Sequence, residues 1–448
     1  MRSALQSPRL RRILVAYTVN RLGTWFGLIA LMVAVFDHTH SAVAVAGLLL
    51  AGQALPAFVV PALVARVEAS ARRRELSGLY FFEAAATAGL AVLLWQFSLP
   101  AILLLATLDG TAALAASALM RSELARTARE SNHGRPADTL FGDEEHDEQA
   151  LEAERAANAA LNVCFSATFM LGPALAGAVI AAAGAPAALF IDVGSFLICA
   201  TMLLDLHPHV EEAEGNSVRV RLRGAWQHVN EAPMLRRLLI AYTIALVFLE
   251  SAAPIEVNYA KTSLRAGDRG FGLLVTGWGV GAVLGSIVFA RSQQRSLGTL
   301  LGIGGSAIGL AYVGFAMAPS LVVACAAALL GGIGNGLELP SLISIVQQLT
   351  PPRLQGRMMG GVESLDALAL ALGLPLGGAL AAASSPRTAF LAVGLGGTAI
   401  SLAFFRLSPR GVASKRKARS PAAPETGLAR TEAQTSPREH APAESTPK

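Results

Sequence analysis

The sequence predicts an all-α integral membrane protein whose twelve transmembrane helices form two pseudo-symmetric six-helix bundles. Three observations carry that expectation. Hydrophobic residues make up 53% of the chain and charged residues only 15%, whereas soluble domains hold about 25% charged residues. Apolar stretches recur twelve times, each near the roughly 20 residues a helix needs to cross a ~30 Å hydrocarbon core. Finally, LRRILVAYTV at 10–19 returns as LRRLLIAYTI at 235–244, an offset of 225 residues in a chain of 448. A repeat at half the length is what two parallel half-proteins leave behind.

The spans are expected in the following order. The first, 13–36, follows Arg9, Arg11 and Arg12 and is too long for a removable signal peptide. The second, 42–65, closes on Arg66, and 76–95 follows the basic cluster Arg72, Arg73 and Arg74. Span 100–120 ends at Arg121, 157–183 carries an internal proline at Pro173, and 187–205 runs into a polar linker. In the second half, 237–258 opens with the repeated LRR and 271–290 closes on Arg291, echoing Ala65-Arg66 at the same 225-residue offset. Spans 298–317 and 320–346 are divided by Pro319, and 360–382 and 387–405 complete the set. The domain organisation is therefore 1–205 with a polar insertion at 121–156, a central loop 206–236, a second bundle 237–407, and a tail 408–448. That tail is rich in Pro, Ala, Ser, Glu, Lys and Arg and is expected to be disordered.

Charge gives the orientation. If the N-terminus is cytoplasmic, 31 of the 36 Lys and Arg residues fall on the cytoplasmic side, so both termini are expected inside the cell membrane. The same bias accounts for the net charge of +5 without a nucleic-acid partner. Cys164, Cys199 and Cys325 all lie in spans and read as small packing residues. His133 and His146 stand near acids without metal-ligand spacing, so no metal is expected. Gly277-Trp-Gly279 and Gly394-Leu-Gly396 spell a dinucleotide-like pattern inside spans, where glycines serve helix packing instead. The sequence has no Walker loop and no nucleophile triad, so neither a cofactor nor ATP-driven chemistry is expected.

Several stretches resemble one transporter family. NRLGTWFGLIAL (20–31), Asn158-Ala-Ala-Leu-Asn162, LGPALAG (171–177), FIDVGSFL (190–197) and PPRLQGR (351–357) occur in the order found in the drug and siderophore exporter branch of the major facilitator superfamily, which includes enterobactin and macrolide efflux proteins. The resemblance covers about residues 9–408. It implies that Gly172, Pro173 and Gly177 form the helix-packing antiporter motif of the fifth helix, although Thr168 replaces an earlier glycine. It also implies a cytoplasmic gating motif between helices two and three at Glu68, Arg72, Arg73 and Arg74, where Val64 replaces the usual glycine. Thr24 stands where the branch often carries an acid.

Ionisable residues inside spans are the strongest local signal, since each costs about 2.5 kcal/mol or more at the bilayer centre unless it faces a partner or water. Arg21, Glu83, Asp109, Asp192, Glu250, Glu256, Glu338, Glu363 and Asp366 qualify. The resemblance implies that helices one, four, seven and ten line a central cavity, and this chain has an ionisable residue on each: Arg21, Asp109, Glu250 and Glu338. With Glu83 they are the candidates for substrate and proton handling, either a transport role or a buried structural ion pair accounting for them. Asp192, Glu256, Glu363 and Asp366 fall close to span ends and read as interfacial or structural.

The expected function is alternating-access secondary transport across the cell membrane by a monomer, with a small molecule and protons as partners and efflux as the direction. A metabolite importer of the same fold is the alternative within the class. From another class, a membrane enzyme or flippase acting on lipid-linked substrates requires paired acids or a metal set at the membrane surface, which the sequence does not offer.

Overall fold

The computed structural model describes residues 7–58, 75–133, 143–204, 229–292, 294–351 and 354–407. Helix α1, Pro8–Thr39, starts where the Ser7 hydroxyl accepts from the Leu10 N–H and proline occupies the first turn. It ends at His40, whose φ of 49° is left-handed and whose N–H donates to the Phe36 carbonyl at 2.7 Å. Helix α2, Ala42–Leu49, is capped by Ser41 and continues through a π-helical stretch, Leu50–Ala54. Helices α3 (Glu75–Leu93), α4 (Leu99–His133), α5 (Asp143–Ala183) and α6 (Ala185–Met202) complete the first half.

In the second half, α7 (Pro233–Glu250) breaks at Ser251 and resumes as Ala253–Asn258 and a π-helical turn, Tyr259–Ser263. It is followed by α8 (Gly267–Arg291), α9 (Leu297–Met317), α10 (Leu321–Leu349), α11 (Gln355–Ala383) and α12 (Pro386–Leu407). Among the described residues, 10 spans are long and apolar enough to cross a membrane. The other two helices are α2, described as far as Phe58, and α12.

The polar insertion 121–156, whose sequence reads as two surface helices about the turn-rich SNHGRPAD, is helical on either side of residues 134–142. Helix α4 runs on past Met120 to His133, and α5 begins at Asp143, so the spans continue as helical arms beyond their apolar lengths. Ala, Glu and Arg are frequent in these arms and are good helix formers. Span seven is likewise longer than 237–258, because the chain stays helical beyond its break as far as Ser263.

Packing divides the helices into two sets. In the first half α1 lies on α5 and α6, and α3 on α4 and α6; in the second α8 and α9 lie on α10, α9 on α12, and α7 on α11 and α12. The halves meet along α5–α8 and α2–α11, contacts related by the same pseudo-two-fold as the sequence repeat. Both contacts use small residues, which let backbones approach where lipid removes any hydrophobic drive between helices. A methyl added at Gly177 would lie 2.9 Å from the Asp268 carbonyl oxygen and 3.1 Å from Gly272 Cα. One added at Gly378 would lie 3.2 Å from Val43 Cα and 3.0 Å from Ala46 Cβ.

The buried residues then form three clusters. One crosses both halves, running from Phe26, Val33 and Phe36 through Val45 to Tyr259, Phe271, Phe315 and Phe390. At the face where α1 begins, by contrast, the cores are separate: Leu10, Ile13, Tyr80 and Leu124 belong to the first half, and Leu235, Leu238, Leu342 and Met358 to the second. The molecule is thus fused at one face and divided at the other.

Gly177→Ala is expected to cost about 1–3 kcal/mol by overpacking α5 against α8, lowering the melting temperature of the purified protein. Gly194→Ala, where no atom lies within 4 Å of the added methyl, is the matched control and should leave the melting temperature unchanged.

Candidate functional site

Helical periodicity places the walls of a central cavity. Trp25, Leu28, Ile29 and Met32 follow the i, i+3, i+4, i+7 spacing that puts residues on one face of a helix, and α8 presents the same spacing at Phe271, Leu274, Val275 and Trp278. The two stripes line a cavity of about 400 Å³ between the halves. The third wall is α7, contributing Leu249, Glu250, Ala253 and Glu256. Gln53 of α2, Phe169 of α5, Tyr312 and Phe315 of α9, Asn335 of α10 and Leu370 of α11 close the remainder.

The aromatic rings hold one another in place. Trp25 meets Phe169 edge-on, centroids 5.2 Å apart at 70°, and Trp278 stacks on Tyr312 at 5.6 Å and 22°. Tyr312 stacks in turn on Phe390 of α12 at 5.7 Å, tying the wall to the fused core. Gly172 matters here, because a methyl at that position would press into the Trp25 ring at 2.7 Å from Cγ. Pro173 follows inside α5, and its carbonyl oxygen faces Gly272 of α8. The motif Gly172, Pro173 and Gly177 therefore sits at the meeting of α5 with α1 and α8.

Of the five residues expected to handle substrate and protons, the structure places Glu250 in the cavity wall. Arg21 lies lower on α1, its guanidinium 5.2 Å from the centroid of the Phe165 ring. Asp109 is half-buried between α3 and α4, where the Thr87 hydroxyl donates to it at 3.4 Å. Glu83 is 1% exposed inside the first half, within electrostatic range of Asp109 and Asp192. Glu338 lies within the second half, beside Tyr242, Gly305 and Ser401 at a void of about 20 Å³, room for about one water. Glu68, Arg72, Arg73 and Arg74 lie outside the described residues.

Of the four residues read as interfacial or structural, Glu256 lines the cavity, because α7 continues past its break and carries that position inward from the end of the span. Asp192 is 4% exposed against α1, where Gly23 and Gly27 leave room for its carboxylate. Ser195 donates to Asp192 Oδ1 at 3.2 Å. Asp366 accepts from the Tyr242 hydroxyl, and Glu363 is exposed. Sequence reasoning missed Glu256 and the aromatic walls. The stripe from Trp25 to Met32 and its counterpart on α8 are legible as patterns and would have found the latter. Among the described residues no group of three or more His, Cys, Asp or Glu side chains could hold a metal ion.

At the fused face, Lys261 closes the site. Its Nζ lies 2.5 Å from Asp37 Oδ1 at the end of α1 and 2.7 Å from Asp268 Oδ1 at the start of α8. One ammonium thereby joins the first half to the second above the cavity.

The described residues thus form a cavity between two six-helix bundles, an open space between the halves that is bridged by ion pairs at one face. The profile of the Major Facilitator Superfamily matches residues 238–441. The chain is similar to the multidrug efflux pump Tap of Mycolicibacterium fortuitum, 25% identical over 252 residues that cover 53% of this chain and 60% of that protein. It is also similar to the uncharacterized MFS-type transporter YfiS of Bacillus subtilis, 24% identical over 237 residues, 50% of this chain and 57% of the relative. The chain thus spans somewhat under two thirds of the length of these curated relatives. Among solved structures, the nucleoside transporter NupG aligns over 90% of this chain and 99% of its own, with a TM-score of 0.68 at 13% identity. The chain thus shares the fold of this solved transporter and resembles the major facilitator superfamily in sequence over its second half.

Lys261→Ala should loosen the sealed face. In a background lacking Cys164, Cys199 and Cys325, a cysteine at the buried Met32 position should react with a membrane-impermeant thiol reagent roughly two- to tenfold faster, the population change expected from losing about 0.4–1.4 kcal/mol of ion pairing. An unchanged rate would remove Lys261 from the closure.

Proposed function

We propose that the chain exports a small drug-like or siderophore-like compound from the cell in exchange for protons, by alternating access. The observation that carries this reading is the cavity of about 400 Å³ between the halves, with Glu250 and Glu256 in its wall and the Lys261 ion pairs across one end. The halves, 1–205 and 237–407, rock as units about the α5–α8 and α2–α11 contacts, and the cavity faces each side in turn. With both termini cytoplasmic, the sealed face is the outer one and the described state receives substrate from inside. The relatives named multidrug efflux pumps support the direction.

Proton coupling rests on the carboxylates. Burial disfavours the charged form of an acid, so a carboxyl group in a partly dry wall releases its proton to a waterside and regains it on the other. Glu250 is placed to do so in the cavity, and Asp109 in the first half, with Glu83 and Asp192 as its neighbours. Glu338 serves the interior of the second half, and Arg21 the lower end of α1. The proposed working unit is the monomer, which carries both walls of the cavity.

In proteoliposomes with an imposed pH gradient and a compound panel, wild type should drive uptake or release. Asp109→Asn and Glu250→Gln should each lower gradient-driven flux by about tenfold or more, equivalent to roughly 1.4 kcal/mol or more. Gradient-driven flux unchanged in both variants would defeat their role, and no flux for any compound would defeat the reading itself.

A further inference from the structure

Resting on that reading, we infer that the cavity selects organic cations with a flat aromatic or otherwise apolar body, and that Glu250 and Glu256 recognise the positive charge. Among the described residues the lining contains those two carboxylates and no Lys, Arg or His. They lie six residues apart on α7 and within electrostatic range of one another. An anion would surrender its hydration against two acids of the same sign, which narrows the proposed substrate to the drug-like class and away from an anionic siderophore. A cation entering the same space meets both.

The rest of the wall fits such a ligand. Trp25 with Phe169 on one side and Trp278 with Tyr312 on the other present π-systems, whose negative faces attract cations. Arg21 is occupied below Phe165, and Lys261 is held between Asp37 and Asp268. Gln53 and Asn335 are uncharged hydrogen-bonding groups in the lining and suit a polar substituent on the ligand.

Tetraphenylphosphonium and tetraphenylborate, matched in shape and opposite in charge, test this directly. Trp25 and Trp278 are two of the chain's four tryptophans, so quenching of intrinsic fluorescence in the full-length protein, purified in uncharged detergent, reports occupancy. Tetraphenylphosphonium should quench saturably, and Glu250→Gln and Glu256→Gln should each weaken it by roughly tenfold. Tetraphenylborate should not bind. Gln53→Lys should abolish phosphonium binding and admit the borate, and it keeps the test decisive if either Gln variant fails to give a normal thermal melt. Borate binding as tight as phosphonium in wild type, or phosphonium binding unchanged in all three variants, would overturn the inference. Gradient-driven flux of neutral or anionic compounds without phosphonium binding would overturn it too, while leaving export intact. Phosphonium binding without flux of any compound would support the site and defeat the export reading.

Discussion

Close backbone approach at Gly177 and Gly272 brings α5 of one half against α8 of the other, and the cavity exists because of where that contact lies. In hydrocarbon, apolar side chains gain nothing by leaving lipid for protein, so two bundles hold together only through dispersion contacts, hydrogen bonds and ion pairs. Glycines supply the dispersion by letting main chains touch. The pseudo-two-fold repeats the device between α2 and α11 at Gly378. Because both contacts favour one face, the shared core forms there and the cores at the opposite face remain separate. A space opens between them.

Within that frame, the polar groups divide by function. Lys261 joins Asp37 and Asp268 at the sealed face, where its contribution adds to the packing beneath it. Asp192 is accommodated by Gly23 and Gly27, so the small residues of α1 admit a carboxylate that a larger side chain would expel. Glu250 and Glu256 are different, because they stand in the wall of a space large enough for a ligand. On the proposed reading, an acid that faces the cavity is one whose partner arrives and leaves.

On the proposed reading, the aromatic walls complete the recognition chemistry. Trp25 and Trp278 occupy equivalent ends of matching stripes on α1 and α8, each braced by a neighbouring ring, Phe169 or Tyr312. Bracing reduces the rotamer freedom lost on binding. It also couples the wall to the body of each half, through Gly172 on one side and Phe390 on the other. A rocking movement that separated α5 from α8 would therefore move both aromatic pairs with the bundles that carry them.

Much of this protein is legible in its sequence. Composition, apolar length and the repeated LRRxLxAYT determine the class, the twelve helices and the two halves, because the bilayer imposes a length and forbids unsatisfied backbone. Helical spacing likewise determines which residues share a face, as with Trp25, Leu28, Ile29 and Met32. What spacing leaves open is the direction each face takes. Rotation about a helix axis and sliding along it change no local pattern, yet they decide whether an acid meets a cavity or a neighbouring helix. Glu338, on a helix expected to line the cavity, lies inside the second half beside Tyr242 and Ser401, whereas Glu256, near a span end in the sequence, reaches the cavity because α7 breaks at Ser251 and goes on. Those positions were decided by tertiary packing alone, since the depth and rotation of a helix are set by contacts with residues far away in the chain.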